Sequence, residues 1–369
     1  MTYSKWIRVF VVISALLLLP VMAINFLVDP YGIYGVTLFK FDKIKQSEKM
    51  RLVKAIRVQE IKPKSVVIGT SRAQFGFDPN HEYFTKPSYN LGVPACSVYE
   101  SKLYLQWAVH QKNLEQVLLV LDYRMFNDKM KAQNNFENFF TSNRYEYLPS
   151  YTTFMDSLKT IKGASLYHQC LPNGQFEHSH NWNFILQEGG HFVGMPVKEA
   201  KYYRNFSTDF SYYDTHRSAF KDFDEIIDLC YKKNIKLEII FGPSHVRQWE
   251  ALDKYAGYGN WLKWKKMVVS RVAKSAEENK KTSFRVWDFA IYNEITTEKI
   301  PKNKDTAMQY YWDSGHYKNE LGLIVLNILT GKKTDHNLSV ELNMENIDTH
   351  LNRLQQHRLE YLKHVQRGL

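Results

Sequence analysis

Two apolar patterns dominate the chain. The first is a run without charge, VFVVISALLLLPVMAINFLV at residues 9–28, which has the length of about twenty residues that a helix needs to cross a bilayer. The second is a series of short runs rich in β-branched residues, each closed by a turn or polar residue. KSVVIG ends at Gly69, SYNLGVP contains Gly92, QVLLVLDY ends near Asp122, IKLEIIFGP reaches Gly242 and FRVWDF ends near Asp288. Runs this short and continuous fit strands buried on both faces. Helical spacing fills the intervals at residues 96–112, 215–233 and 261–278, the second with Phe220, Phe223, Ile226, Ile227 and Cys230 on one stripe. Alternating strands and helices predict an α/β domain with a mainly parallel sheet covered on both faces and functional residues at the carboxyl ends of its strands.

Three stretches depart from that rhythm. After the apolar run, DPYGIYG supplies turn chemistry, and residues 47–61 place Met50, Val53, Ile56 and Val58 at helical spacing among basic residues. Residues 126–210 are rich in Asn, Tyr, Phe, His and Gly with little period, as expected of an insertion or lid over the sheet's edge. Residues 343–366 carry Ile347, Leu351, Leu354, Leu359 and Leu362 as a partial stripe and predict a helix. The chain therefore divides into a stub and membrane anchor (1–30), a basic juxtamembrane linker and helix (31–64), the α/β domain (65–335, insertion at about 126–210) and a helical tail (336–369).

Composition adds a compartment. The chain has 369 residues, 44% hydrophobic, and a net charge of +11 spread along most of its length, so one large core is expected rather than disorder. The densest basic stretch runs from Lys40 to Lys64, against only Asp42, Glu48 and Glu60. Lying just past the apolar run, it suits lipid head groups. Lys5 and Arg8 precede the run and Asp29 follows it, which puts the N-terminus in the cytoplasm and the bulk of the chain outside. The main domain is then periplasmic or extracytoplasmic on the inner (cytoplasmic) membrane, and nucleic acid is no expected partner. A cleaved signal peptide, with Val21 and Ala23 at the small-residue positions, is the alternative to a retained anchor. Cys96, Cys170 and Cys230 are odd in number and lack CxxC spacing, so neither a disulfide framework nor a zinc site is indicated. His178 and His180 have metal-like spacing without companion ligands, and no metal or cofactor is expected.

The chemistry centres on GTSR. Ser71 follows an apolar strand and Gly69, which lets the chain turn and present a hydroxyl at the sheet's rim. Serine is inert unless a base takes its proton and a third group holds that base. YYWDSGHYKNELG offers Asp313 and His316 three positions apart in a Gly-containing turn. That is close enough for the carboxylate to hold one imidazole nitrogen while the other faces Ser71. Asp288 in VWDF reads as structural, and the aromatic residues of the insertion, Trp182 among them, read as packing or as platforms for sugar rings.

IGTSRA, NLGVP and DSGH resemble blocks I, II and V of the SGNH hydrolase superfamily. The single anchor followed by NFLVDPYGIYG, with the GTSR form of block I, resembles the membrane-anchored SGNH-like proteins of envelope polymer O-acetylation and D-alanylation. The resemblance runs over roughly residues 25–330 on short motifs. It implies a flavodoxin-like three-layer α/β/α fold with Ser71 as nucleophile, His316 as base, Asp313 as orienter, and the backbone N–H groups of Ser71 and Gly92 as oxyanion hole. It also implies acyl transfer, most simply of acetyl, to a cell-envelope polysaccharide, with a polytopic membrane-bound O-acyltransferase as a partner. A polysaccharide esterase and a catalytically silent assembly or glycan-binding module are the alternatives. One departure stands out: where block III supplies an Asn, LVLDYRMFN has Asp122, Tyr123 and Arg124, with Asn127 nearby. Arg72 or Arg124 is then the expected substitute donor. In FGPSH, Ser244 and His245 correspond to a segment that lines the cleft in this group and are expected to bind substrate.

Overall fold

The structure is a computed structural model and describes residues 2–36, 38, 39, 41, 43, 45–127, 129, 143–163, 170–176, 181–332 and 337–366. The chain forms two compact units, one from Met1–Glu60 with Asn135–Leu171, the other from Ile61–Asn134 with Pro172–Leu369.

The first unit is built on α1 (Tyr3–Val28), a helix long and apolar enough to span a membrane. Asp29 ends it in the left-handed conformation and its carboxylate accepts the N–H groups of Ile33 at 2.8 Å, Tyr34 at 3.1 Å and Gly35 at 3.0 Å. The DPYGIYG turn is thus organised by one buried acid. Tyr31 and Ile33 then pack with Leu52, Val53 and Ile56 of α2 (Met50–Ile61). The basic stretch is turned partly inward: Lys54 is buried, Lys43 Nζ donates to the Val28 carbonyl at 2.8 Å, and Arg57 donates to Gly32 O at 2.9 Å while pairing with Glu60. Of these three, only Lys54 is fully buried; Lys43 and Arg57 are half-buried.

The second unit holds a six-stranded sheet. In chain order its elements are β1 (Ser65–Gly69), α3 (Ser71–Gly76), β2 (Ser88–Asn90), α4 (Val98–His110) and β3 (Gln116–Leu121). After a stretch that belongs to the first unit, and contains α5 (Tyr151–Lys162), come α6 (Asn181–Gln187), α7 (His191–Tyr202), α8 (Ala219–Lys233), β4 (Lys236–Phe241), α9 (Val246–Ala256), α10 (Tyr258–Asn279), β5 (Arg285–Asp288), α11 (Asn319–Leu329), β6 (Val340–Leu342) and α12 (Ile347–Gln366). Strand order is β2-β1-β3-β4-β5-β6, the first five parallel and β6 antiparallel on β5. This is the doubly wound, flavodoxin-like order, whose switch point lies between β1 and β3.

β1 and β3 are buried throughout. Val67, Leu118, Val120 and Ile240 meet Ala73 of α3 and Val325 and Leu326 of α11 on one face. On the other, the Phe241 ring packs on Trp264 of α10, 4.8 Å between centroids. Both faces are covered, as the continuous apolar strands require.

Two boundaries differ from the sequence expectation. The stretch expected as one lid at 126–210 is shared: Asn135–Leu171 belongs to the first unit and the remainder to the second. The tail expected as helical also supplies β6, whose Val340, Glu341 and Leu342 pair with Asp288, Trp287 and Val286. Three residues carry too little periodicity to announce a strand.

Candidate active site

Ser71 is the first residue of α3, directly beyond the carboxyl end of β1. Thr70 caps the helix by accepting the Arg72 N–H at 3.3 Å and donates its hydroxyl to Asp122 at 2.7 Å. Gly69 serves here through space rather than by turning the chain, because its φ is not in the left-handed region. A Cβ there would lie 2.7 Å from Val120 O and 2.8 Å from the Ala73 Cβ, so only hydrogen lets α3 start this close to β3.

The DSGH turn reaches Ser71 from the far end of the chain. Tyr311 and Tyr317 form an antiparallel bridge, and α11 follows. A Cβ on Gly322 would sit 1.6 Å from the Gly76 carbonyl oxygen, and one on Gly76 would overlap the Tyr317 ring at 2.1 Å. Glycine at both places lets α3 and α11 touch backbone to backbone, which brings the two motifs together.

Within that clasp His316 Nε2 lies 2.8 Å from Ser71 Oγ. His316 Nδ1 is 2.9 and 3.0 Å from the two oxygens of Asp313. Asp313 Oδ1 also accepts the N–H groups of Gly315 at 2.8 Å and His316 at 2.9 Å. Burial alone would raise the Asp313 pKa. The adjacent imidazole, the Lys198 charge and the backbone donors outweigh it and hold the carboxyl well below the usual range. Asp313 is therefore an anion fixed in orientation, so Nδ1 carries a proton toward it and Nε2 is left as the acceptor for the serine proton. The Phe75 ring flanks the imidazole edge-on at 5.4 Å.

The residues expected around an oxyanion are placed otherwise. The Gly92 N–H donates to Asn90 Oδ1 at 2.8 Å, while Asn90 Nδ2 caps the carbonyls of Ala73 and Phe77 at 2.9 and 2.8 Å. Asp122, at the strand end where an Asn was expected, only accepts: from Thr70, from the Arg124 N–H at 3.0 Å and from Arg72 at 2.9 Å. Asn127 is buried and donates to Asn205 O at 2.7 Å. Two nitrogens of the Arg72 guanidinium are engaged. Its Nε holds Gly315 O at 2.8 Å while its Nη1 pairs with Asp122, so it ties the DSGH turn to the end of β3.

Two groups remain at that rim. As first residue of a helix, Ser71 has a backbone N–H with no partner inside it. The partly buried Arg124 guanidinium forms no hydrogen bond or ion pair among the described residues. Burial lowers its pKa, partly offset by Asp122 and reinforced by the nearby Arg72. Beside it lies a cavity of about 20 Å³ lined in part by Arg72, Asp122, Arg124, Phe241 and Trp264, the space of a single water.

Ser244 and His245 are not on the cleft surface. Ser244 Oγ accepts from Trp249 Nε1 at 2.9 Å. His245 caps α9, accepting the Arg247 N–H at Nδ1 and donating from Nε2 to Glu298 O at 2.9 Å. Both are almost fully buried, and Ser244 lines the small cavity beside Arg124. Their reach is indirect: the His245 N–H donates to Ser314 O at 3.1 Å and steadies the turn. Asp288 lies inside with Lys265 and His350 at 2.6 and 2.8 Å, a structural role as its sequence suggests. His178 and His180 lie outside the described residues. Sequence reasoning missed Thr70 and Asn90, ordinary polar residues whose work is visible only once β1, β2 and β3 lie side by side.

The fold and this arrangement define a doubly wound α/β protein with a Ser-His-Asp hydrogen-bonded chain at its switch point. No family model matches the chain, and no curated protein matches it. Among solved structures, a proposed acylhydrolase from Bacteroides fragilis is similar over 80% of this chain and 95% of that one, at 13% identity and a TM-score of 0.35.

Proposed function

We propose that the chain is a single-pass membrane protein, N-terminus in the cytoplasm, whose sheet domain transfers an acyl group to a cell-envelope polysaccharide through an acyl-Ser71 intermediate. The observation that carries the chemistry is the continuous chain of hydrogen bonds from Ser71 Oγ through His316 to Asp313. His316 Nε2 takes the hydroxyl proton as Ser71 Oγ bonds to the acyl carbon, and the same proton passes to the leaving group as the donor's bond breaks. A sugar hydroxyl then gives its proton to Nε2 as its oxygen bonds to the acyl carbon, the bond from that carbon to Ser71 Oγ breaks, and Nε2 returns the proton to Ser71 Oγ. Water in place of the sugar makes the enzyme an esterase; purified protein given an activated acyl ester with and without glycan separates the two by product. Orientation rests on Lys5 and Arg8 before α1 and Asp29 after it. A polytopic membrane-bound O-acyltransferase is the proposed acyl supplier, since an anchor keeps Ser71 at the membrane where such a donor sits.

A second reading, a silent module that binds glycan or organises an assembly, is favoured by the engaged Gly92 N–H and by an acceptor at Asp122. A serine-reactive fluorophosphonate decides between them. The acyl-transfer reading expects labelling of the full chain that disappears in Ser71→Ala and in His316→Ala, with both variants folded. Absent labelling, or labelling indifferent to His316, leaves the silent module.

A further inference from the structure

In α5 the usual polarity of a helix is inverted. Its inward residues are Thr153, Asp156, Ser157 and Thr160, while Tyr151, Met155 and Ile161 are exposed and Phe154 and Leu158 only half-covered. Positions 151, 154, 155, 158 and 161 follow the spacing of a single helical stripe. An apolar stripe on the outside of a domain in water would be unfavourable.

The polar inner face is spent on the end of α1. Asn25 Nδ2 donates to the carbonyls of Leu148 at 2.8 Å and Ser150 at 3.1 Å, at the start of α5, and Asn25 Oδ1 accepts from Ser157 at 3.0 Å. Asp156 accepts the Tyr31 hydroxyl at 2.8 Å. α5 is therefore pinned against the last turns of α1 by hydrogen bonds, with its apolar stripe pointing away.

Length sets the depth of that junction. The 26 residues of α1 make about 39 Å at 1.5 Å each, against about 30 Å of bilayer hydrocarbon. The surplus of about six residues is the helix start, Tyr3–Arg8, where Lys5 and Arg8 stay out of the hydrocarbon. Leu16, Leu17 and Leu19 are 67, 67 and 61% exposed, Val21 and Met22 are half-buried, and Asn25 and Val28 are buried. The uncharged run ends at Val28 with Asp29 next, so the covered part of α1 is the outer end of the span, and α5 lies where the helix leaves the hydrocarbon.

We infer that α5 is a membrane-surface helix: its stripe dips into the boundary of acyl chains and head groups, and Lys159 and Lys162, at its C-terminal end, meet lipid phosphates. The inference rests on α1 spanning the bilayer. With α5 the protein holds the membrane at a second place, supplied by the middle of the chain rather than by its N-terminus.

The test uses the full chain in lipid nanodiscs of phosphatidylcholine and phosphatidylglycerol, with Cys170→Ala as background and an environment-sensitive dye on a single introduced cysteine. Labels at Met155→Cys and Ile161→Cys are expected to be quenched by shallow spin-labelled lipid and shielded about threefold or more from aqueous iodide. A label at Lys232→Cys on α8 stays open to iodide, and one at Leu17→Cys, the marker of the span, is quenched by deep spin-labelled lipid. If Leu17 is in lipid while Met155 and Ile161 are open to iodide, the α5 inference fails and the span stands. If Leu17 is open to iodide, the span reading itself fails. Shielding at Met155 in native membrane fragments but not in nanodiscs means that a protein covers the stripe, which also overturns the lipid assignment.

Discussion

The two halves of the rim around Ser71 are built to different ends. On one side His316 links the Ser71 hydroxyl through Nε2 to the Asp313 carboxylate through Nδ1, a continuous path for a proton. On the other, Asp122, Arg72, Asn90 and Gly92 are occupied with one another and with the backbone. The first half has the arrangement the proposed acyl transfer needs. The second is arranged to hold α3, β3 and the DSGH turn in place, and what it leaves for a developing oxyanion is the Ser71 N–H and Arg124. The same fold position can thus be filled by a donor or by an anchor, and here the anchor has it.

Asp313→Asn breaks the comparison on the relay side. It keeps the shape, but an amide can present its N–H to Nδ1 and force the wrong tautomer, with an expected loss of about 10⁴-fold in Ser71 labelling. The pseudo-first-order labelling rate with a fluorophosphonate checks it; a loss under tenfold would remove Asp313 from the relay.

Asp122→Ala tests the anchor side. It leaves the buried Arg72 guanidinium unpaired beside the Thr70 hydroxyl, and removal of one partner from a buried pair costs about 3–5 kcal/mol. The two side chains are 11 and 10% exposed, so solvent screens little. Chemical denaturation is expected to show that loss, with labelling reduced only as far as the DSGH turn loosens. A variant of full stability and lost labelling would instead put Asp122 in the chemistry.

Arg124→Gln separates the remaining donor from the anchors. Its guanidinium has no ion pair among the described residues, so its removal is expected to leave the denaturation midpoint unchanged. If the guanidinium meets the oxyanion, labelling falls by about 10²–10³-fold, the worth of one such donor. Unchanged labelling would leave the Ser71 N–H as the donor and strengthen the reading of a weak or silent site.

This contrast also divides what the sequence made legible. The strands around Ser71 are continuous apolar runs closed by Gly or Asp, a pattern with few alternatives, and the relay could be sought because a serine nucleophile demands a base and an orienter. Anchors make no such demand. Asn90 caps α3 from β2, and Arg72 bridges β3 and the DSGH turn. These links join positions up to 243 residues apart, and nothing local in the sequence marks them. Gly92 was expected as a donor because its motif was intact, yet a hydrogen bond two residues back decides its use. One helix of the first unit was hidden for another reason: α5 turns its polar side inward, so the periodicity that announces a core face was present with its meaning reversed.

His245 carries the comparison to its smallest effect, because the residue expected to touch substrate has become part of the frame. Burial pushes its pKa down to about 4, with the Arg247 charge adding to the effect. The ring is neutral in the fold because Nδ1 already faces an N–H donor and has no place for a proton. Its folded value lies below the ordinary 6.5 or so, so the neutral ring's stabilisation is fully present above pH 6.5 and is lost as pH falls through 4. At 1.36 kcal/mol per pKa unit the loss is about 3 kcal/mol at most. Urea midpoints between pH 7.5 and 4 are expected to fall accordingly, and His245→Asn, which keeps an N-cap acceptor, is expected to flatten that slope while lowering the midpoint at pH 7.5. Labelling of Ser71 at pH 7.5 is expected to persist in this variant, since the His245 N–H that holds Ser314 belongs to the backbone. An intact fold with labelling abolished would return His245 to the substrate side.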